Sequence, residues 1–167
     1  TLMGSWRMYK AWDRASDKSR SMPGKVEFIT IPQLQKLAPK FASKGEVWLG
    51  QGFHWTDLED NRMHALIGAG VANVLGKKAL NGQGSYWLHG LSKEEDISAQ
   101  LMLLEGHTLI VGSTGVGKTR LFDLLIAQAI LRGEPVIIID PKGDQGLADN
   151  ALRVCEAMGA PEKFIYF

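Results

Sequence analysis

The segment Gly112-Ser-Thr-Gly-Val-Gly-Lys-Thr119 constrains this chain more than any other. It has the spacing G-x-x-x-x-G-K-[ST], the Walker A phosphate loop. Its flanks are what such a loop requires. Ahead of it, His107-Thr-Leu-Ile-Val111 is a short apolar run that reads as a buried strand. Behind it, Phe122, Leu125, Ile126, Ala129 and Ile130 mark one helix face, and Leu121, Leu124, Ala127 and Leu131 make the other faces apolar too. A helix apolar nearly all round belongs inside a layered α/β fold.

The residue types follow from the charge to be held. A polyphosphate carries several negative charges. Backbone N–H groups curled round it, just before a helix N-terminus, hold them without a cage of buried side chains. Gly112, Gly115 and Gly117 permit close approach and unusual φ. Lys118 reaches the β- and γ-phosphates as a point charge. The Thr119 hydroxyl suits Mg²⁺, an oxygen-seeking ion that keeps some of its waters. ATP and Mg²⁺ are the expected cofactors. Lys118 and Thr119 are the catalytic candidates, and Ser113, Thr114, Val116 and Arg120 complete the contact surface of the loop.

Downstream, Val136-Ile-Ile-Ile-Asp140 is a continuous β-branched run, as expected of a parallel strand covered on both faces. Leu147, Ala151, Val154 and Met158 have helical spacing, closed by Gly159, and residues 163–167 read as a third strand. The order strand–loop–helix–strand–helix–strand predicts a parallel sheet with right-handed crossovers. The expected fold class is α/β: an incomplete P-loop NTPase sheet with flanking helices, preceded by a small α+β region and a basic N-terminal helix. Asp140 has three readings. It is a Walker B carboxylate that binds Mg²⁺ through water, a strand-end carboxylate near the nucleotide with a structural or coupling role, or a cap of the Pro141 turn.

A net charge of +1 conceals an uneven distribution. Residues 1–45 hold nine Lys/Arg against three Asp/Glu, and residues 46–106 hold four against eight. The opening reads as a helix, with Trp6, Tyr9 and Trp12 every third residue and Arg7, Lys10, Arg14 and Lys18 between them. Aromatic residues beside a basic stripe fit a helix near a membrane surface; they also fit a solvated helix packed on its own domain. Three segments are expected: 1–25, a basic juxtamembrane-like helix; 26–105, a small α+β region; and 106–167, the first part of a nucleotide-binding domain. Within the middle segment, Val26–Ile31 reads as a strand, and Pro32 opens a short helix over 33–37. Glu46–Leu49 and Phe53–Trp55 read as a hairpin around Gly50-Gln-Gly52. Thr56-x-x-Glu59 is a capping box. Its helix presents Met63, Leu66, Ile67, Val71 and Val74 and ends at Gly76, and Ser85–His89 reads as a further strand. The four histidines have no metal-ligand spacing, and Cys155 is the single cysteine.

The string from Gly106 to Leu121, with Val136-Ile-Ile-Ile-Asp-Pro-Lys-Gly-Asp144, resembles type IV coupling proteins of bacterial conjugation, in the TraD/TraG group. Trp48-Leu-Gly-Gln-Gly-Phe-His-Trp55 is similar to the region ahead of the motor in that group. The resemblance spans roughly residues 46–144. It implies a membrane-anchored, hexameric FtsK/HerA-like P-loop ATPase. Such a protein delivers relaxase-bound single-stranded DNA to a type IV secretion channel, from the cytoplasmic face of the bacterial inner membrane. It also implies that Gly112, Gly117, Lys118 and Thr119 act as Walker A residues. The chain opens at Thr1 and closes on a strand-like run, and so reads as a piece of a longer protein. Membrane helices are expected upstream, and the Walker B pair and arginine finger downstream, so that the piece alone is inactive. Other motors of the same superfamily fit the same residues. A non-motor nucleotide-binding protein is a further alternative, although the Asn-Lys-x-Asp segment of a GTPase is absent.

Overall fold

The computed structural model describes residues 2–21, 29–70, 86–115 and 117–167, with the side chains of the first helix described for residues 9–18. Five helices and two strands run in the order α1 (Leu2–Ser21), α2 (Ile31–Ala42), β1 (Glu46–Gly52), α3 (Asp57–Gly68), β2 (Glu95–Gln100), α4 (Lys118–Leu131) and α5 (Gln145–Ala157) among the described residues. The chain forms two compact units. The first contains residues 1–28 and 51–96, and the second residues 29–50 and 97–167.

In the first unit, α1 packs on a 3-10 turn, Tyr86–Gly90, through its small residues. Ala11, Ala15 and Ser16 are buried, whereas Tyr9 and Trp12 face solvent. The unit's core gathers Ala15, Leu66, Trp87 and Leu91, with Phe53, Met63 and Leu88 around them. The basic residues of α1 turn inward to the same turn. Arg14 Nε donates to Gly90 O at 3.0 Å and Arg14 Nη2 to Leu91 O at 3.2 Å, and Lys18 pairs with Glu94. Two cations of the stripe thus serve the unit's own packing. Trp6 and Arg7 lie outside the described side chains.

The capping box at Thr56 forms, and it extends further than its own helix. Thr56 Oγ1 accepts from Leu58 N at 3.3 Å, and Glu59 accepts from Thr56 N at 3.0 Å. The buried Glu59 carboxylate also accepts from the hydroxyls of Ser92 and Thr56 and from Arg62 Nη1, which in turn donates to Leu91 O. These hydrogen bonds, that of Ser92 foremost, lower the Glu59 pKa from 4.5 to about 2. Because the folded value lies below the unfolded one, Glu59 stabilises the fold above pH 4.5, and that contribution fades as pH falls toward 2. We expect wild type to lose thermal stability across this interval faster than Glu59→Gln, which starts lower. Unfolding followed by tryptophan fluorescence checks this; parallel pH profiles for the two proteins would contradict it.

Several expectations are corrected in this part of the chain. No hairpin joins 46–49 to 53–55. β1 continues through Gly50, whose φ of 146° lies where glycine is favoured, and pairs with β2. Leu101 N donates to Gly45 O at 2.7 Å and Gln51 bonds Asp96, so the two strands run antiparallel. Residues 86–90 form a 3-10 turn rather than a strand. α3 ends at Gly68, and Ile67 is exposed; Val71, Val74, Gly76 and Ser85 lie outside the described residues, as do residues 26–28 of the expected first strand. α2 begins one residue before Pro32 and runs to Ala42, beyond the short helix expected there.

In the second unit, α2, α4 and α5 pack together. Leu34, Ala38, Trp48, Ala127 and Val154 are its buried centre, with Leu124, Ile130 and Leu131 of α4 against them. α5 follows the expected spacing, with Ala151 and Val154 buried and Gly159 at φ 71° behind it. α4 is less enclosed than an all-apolar helix suggests, since Phe122 remains exposed.

The expected parallel sheet is absent from the described residues, where β1–β2 is the only sheet. The segments 107–111, 136–140 and 164–167 form neither strand nor helix. Burial explains the difference. In 136–140, Val136 and Asp140 are half-buried, while Ile137 and Ile139 are 87% and 89% exposed. Leu109, Val111, Ile165 and Phe167 are likewise exposed. A parallel strand is stable when both of its faces are covered. Here neither face is covered: Ile137, Ile138 and Ile139 are exposed in succession, as are Ile165, Tyr166 and Phe167.

Candidate functional site

The site is built where 107–115 meets α4. Gly117 is the N-cap of α4, with φ 93°, and Gly115 has φ 83°. No neighbouring atom would meet a Cβ at either position. The glycines are therefore required by backbone conformation rather than by space, and they bend the chain so that it enters the helix. Val116 lies outside the described residues.

Lys118 folds back over the loop. Its Nζ donates to Gly112 O and to Ser113 O, both at 2.7 Å. The structure thereby brings together Gly112, Ser113 and Lys118, one charge centred above the loop's own carbonyls. Thr119 and Arg120 follow on the first turn of α4, and Arg120 pairs with Asp123 at 3.5 Å.

This turn contrasts in charge with that of α3. The first turn of α3 carries Asp57, Glu59 and Asp60, which suit the positive end of a helix dipole. The first turn of α4 has no acidic residue and instead carries Lys118 and Arg120. Arg120 has Asp123 beside it, whereas the Lys118 ammonium rests on neutral carbonyls at a helix N-terminus, a placement that an anion would improve. Departures from local consistency of this kind are where functional sites are expected.

A cleft of about 400 Å³ opens beside the turn. It is lined by Lys118, Thr119, Phe122 and Ile126 of α4, by residues 136–140, and by Lys142, Asp144 and Leu147. Asp140 therefore shares the cleft with Lys118 and Thr119. Its carboxylate is engaged by backbone: Oδ1 accepts from Lys142 N at 2.9 Å and Oδ2 from Asp144 N. These bonds, that from Asp144 first, hold its pKa below the ordinary carboxylate value. Asp144 Oδ1 in turn accepts from Gly146 N at 3.0 Å and caps α5. Asp140 thus closes the turn after Pro141 and lines the cleft that holds Lys118 and Thr119.

The donor set fits a magnesium nucleotide. The positive turn and the loop's amides suit the phosphates, and the Thr119 hydroxyl suits a hard cation. No group of three or more acidic, His or Cys side chains among the described residues forms a metal cage. Mg²⁺ at this site would be held by Thr119 and by the phosphates themselves, the usual arrangement for this ion.

Residues 90–164, which contain the loop, the cleft and both of its helices, match the family model for the helicase HerA central domain. The match supports an FtsK/HerA-like P-loop ATPase, a group of nucleotide-binding, ATP-hydrolysing proteins. No curated protein and no solved structure matches the chain.

The residues that sequence reasoning missed lie away from the loop. The strand 95–100, Glu-Asp-Ile-Ser-Ala-Gln, carries little β-branched signal. Gln128 interrupts an apolar helix and reads as a blemish in the pattern, yet it is among the most buried side chains of the chain.

Proposed function

We propose that this chain binds Mg·ATP through residues 112–119 and belongs to a DNA-translocating motor of the HerA/FtsK kind, specifically a conjugative coupling protein. The observation that carries the nucleotide reading is the electropositive first turn of α4 beneath a Gly115/Gly117 loop, with Lys118 centred over it. Support for the motor reading is the HerA central-domain match. Support for conjugative transfer is the resemblance of Gly106–Leu121, Val136–Asp144 and Trp48–Trp55 to the TraD/TraG group. On this reading the substrates are ATP and relaxase-bound single-stranded DNA delivered to a type IV secretion channel. The assembly is a homo-hexamer at the cytoplasmic face of the inner membrane. No helix among the described residues is long and apolar enough to cross a membrane, so the reading places the anchor outside these residues.

The test has two stages. A fluorescent ATP analogue should bind this chain in the presence of Mg²⁺. In the protein that carries the chain, single-stranded DNA should stimulate ATP turnover, and a conjugative relaxase should co-purify with it. DNA-stimulated turnover with duplex-driven movement and no relaxase association would assign it to another translocase of the group. Nucleotide binding without any DNA response would remove the motor reading.

A further inference from the structure

The core around α4 contains one buried polar side chain. Among the described residues of the second unit, Gln128 is the only polar residue that is buried, at 1% exposure. Its Oε1 accepts from Trp48 N at 3.0 Å, and its Nε2 donates to Trp48 O at 2.9 Å. A second donation, to Leu124 O at 3.2 Å, stays within the helix. Two bonds to the N–H and C=O of one strand residue reproduce what a neighbouring strand would offer. Among the described residues, β1 has only β2 as a strand partner. At Trp48 the remaining partner is a helix side chain.

A leucine here would fill similar space and lose both bonds to Trp48. Leucine would also be indifferent to which strand residue it faced. The amide is selective: it fixes one register of α4 against β1, as satisfied buried polar groups do. Leu124 and Ala127 belong to the same apolar cluster as Trp48. α4 cannot slide or rotate against β1 without breaking both the amide pair and this packing.

The other end of α4 is the phosphate loop. Gln128 lies ten residues beyond Lys118, about 15 Å along a helix axis. At that end Lys118 rests on the carbonyls of Gly112 and Ser113. An arriving phosphate competes for this ammonium and neutralises the positive turn. The first turn thus changes its partners while the far end stays clamped.

We propose that Gln128 is a positioning residue that locks α4 and β1 into one body, so that filling the phosphate loop is felt at Trp48. The proposal rests on the nucleotide reading of residues 112–119. It adds a route by which occupancy of that site reaches a strand outside it. Ordering one end of a rigid element lowers the cost of ordering the other, and the coupling is reciprocal.

Hydrogen exchange read by mass spectrometry on peptides covering residues 46–52 measures the coupling, with and without Mg·ATP. Affinity for the fluorescent ATP analogue is measured in parallel. In wild type, ATP should slow exchange at 46–50 about threefold or more. In Gln128→Leu, ATP should still bind, about five- to tenfold more weakly, and its effect on 46–50 should vanish. Gln128→Glu keeps the acceptor for Trp48 N–H and loses the donor to Trp48 O; it should fall between the two. A glutamine that is structural and nothing more would raise exchange equally with and without ATP, leaving the ATP-dependent difference intact. That result in Gln128→Leu overturns the proposal. Should Gln128→Leu fail to fold, a wild-type difference in Gln128→Glu overturns it instead. Wild type that folds but binds no ATP removes the nucleotide reading itself, and the coupling falls with it.

Discussion

Lys118→Ala is expected to abolish nucleotide binding and leave the fold intact. Lys118 supplies the charge centred over the loop, with Nζ at 2.7 Å from two of its carbonyl oxygens. Charge-assisted bonds to phosphate are among the stronger single interactions, about 1.5–3 kcal/mol each. Losing this set should raise the dissociation constant for Mg·ATP about 100-fold or more, since each 1.4 kcal/mol is about tenfold. Stability without nucleotide should move little. The side chain is not buried in the core, alanine is the best helix former, and removing a cation from a helix N-terminus relieves an unfavourable interaction. Two measurements together make the case: analogue binding, and urea unfolding of the ligand-free chain. Retained affinity would remove the phosphate-loop assignment. A collapse of ligand-free stability would make Lys118 a structural residue and its loss of binding uninformative.

How far the sequence reaches is decided by the range of the interaction. The loop was legible because its chemistry is contiguous: Gly115, Gly117, Lys118 and Thr119 are neighbours in the chain, and the helix that follows begins at Lys118. The capping box at Thr56 and Glu59 was legible for the same reason. What those residues do at longer range was not. Glu59 accepts from Ser92, 33 positions away, and no local pattern announces that partner. The hairpin expected at Gly50-Gln-Gly52 failed because a turn signal is local, whereas the true partner of β1 is an acidic, weakly β-forming segment some 45 positions on. α1 shows the limit most plainly. Its aromatic residues suggested the buried face, but Ala11 and Ala15 take that role, because only small side chains let the 86–90 turn approach the helix. The segments 107–111 and 136–140 have the apolar pattern of strands, yet they pair in no sheet among the described residues. Periodicity reports how side chains alternate, and a ladder needs a partner that periodicity cannot name.

Gly90→Ala is expected to release α1 from the first unit. A Cβ at Gly90 would lie 2.3 Å from Ala15 N and 2.4 Å from Ala15 Cα. Both are backbone atoms of a helix, so no rotamer change relieves the contact. Overfilling a packed site costs typically about 1–3 kcal/mol, and more where backbone must move; this site belongs at or above the top of that range. The loss should also spread. Arg14 donates to Gly90 O and Leu91 O, and Lys18 pairs with Glu94. A turn pushed away from α1 would give up these bonds together with the burial of Ala11, Ala15 and Trp87. Gly68→Ala is the control, because nothing lies within 4 Å of a Cβ there and no positive φ is required. Limited proteolysis should cut Gly90→Ala within α1 while Gly68→Ala resists as wild type does, and the urea midpoint should fall in the first variant alone. The second unit supplies the internal check. Its core of Leu34, Ala38, Trp48, Ala127 and Val154 contains no residue of α1 or of the 86–90 turn. Nucleotide affinity at residues 112–119 should therefore survive Gly90→Ala. Loss of both α1 protection and ATP binding would mean that the two units do not fold independently.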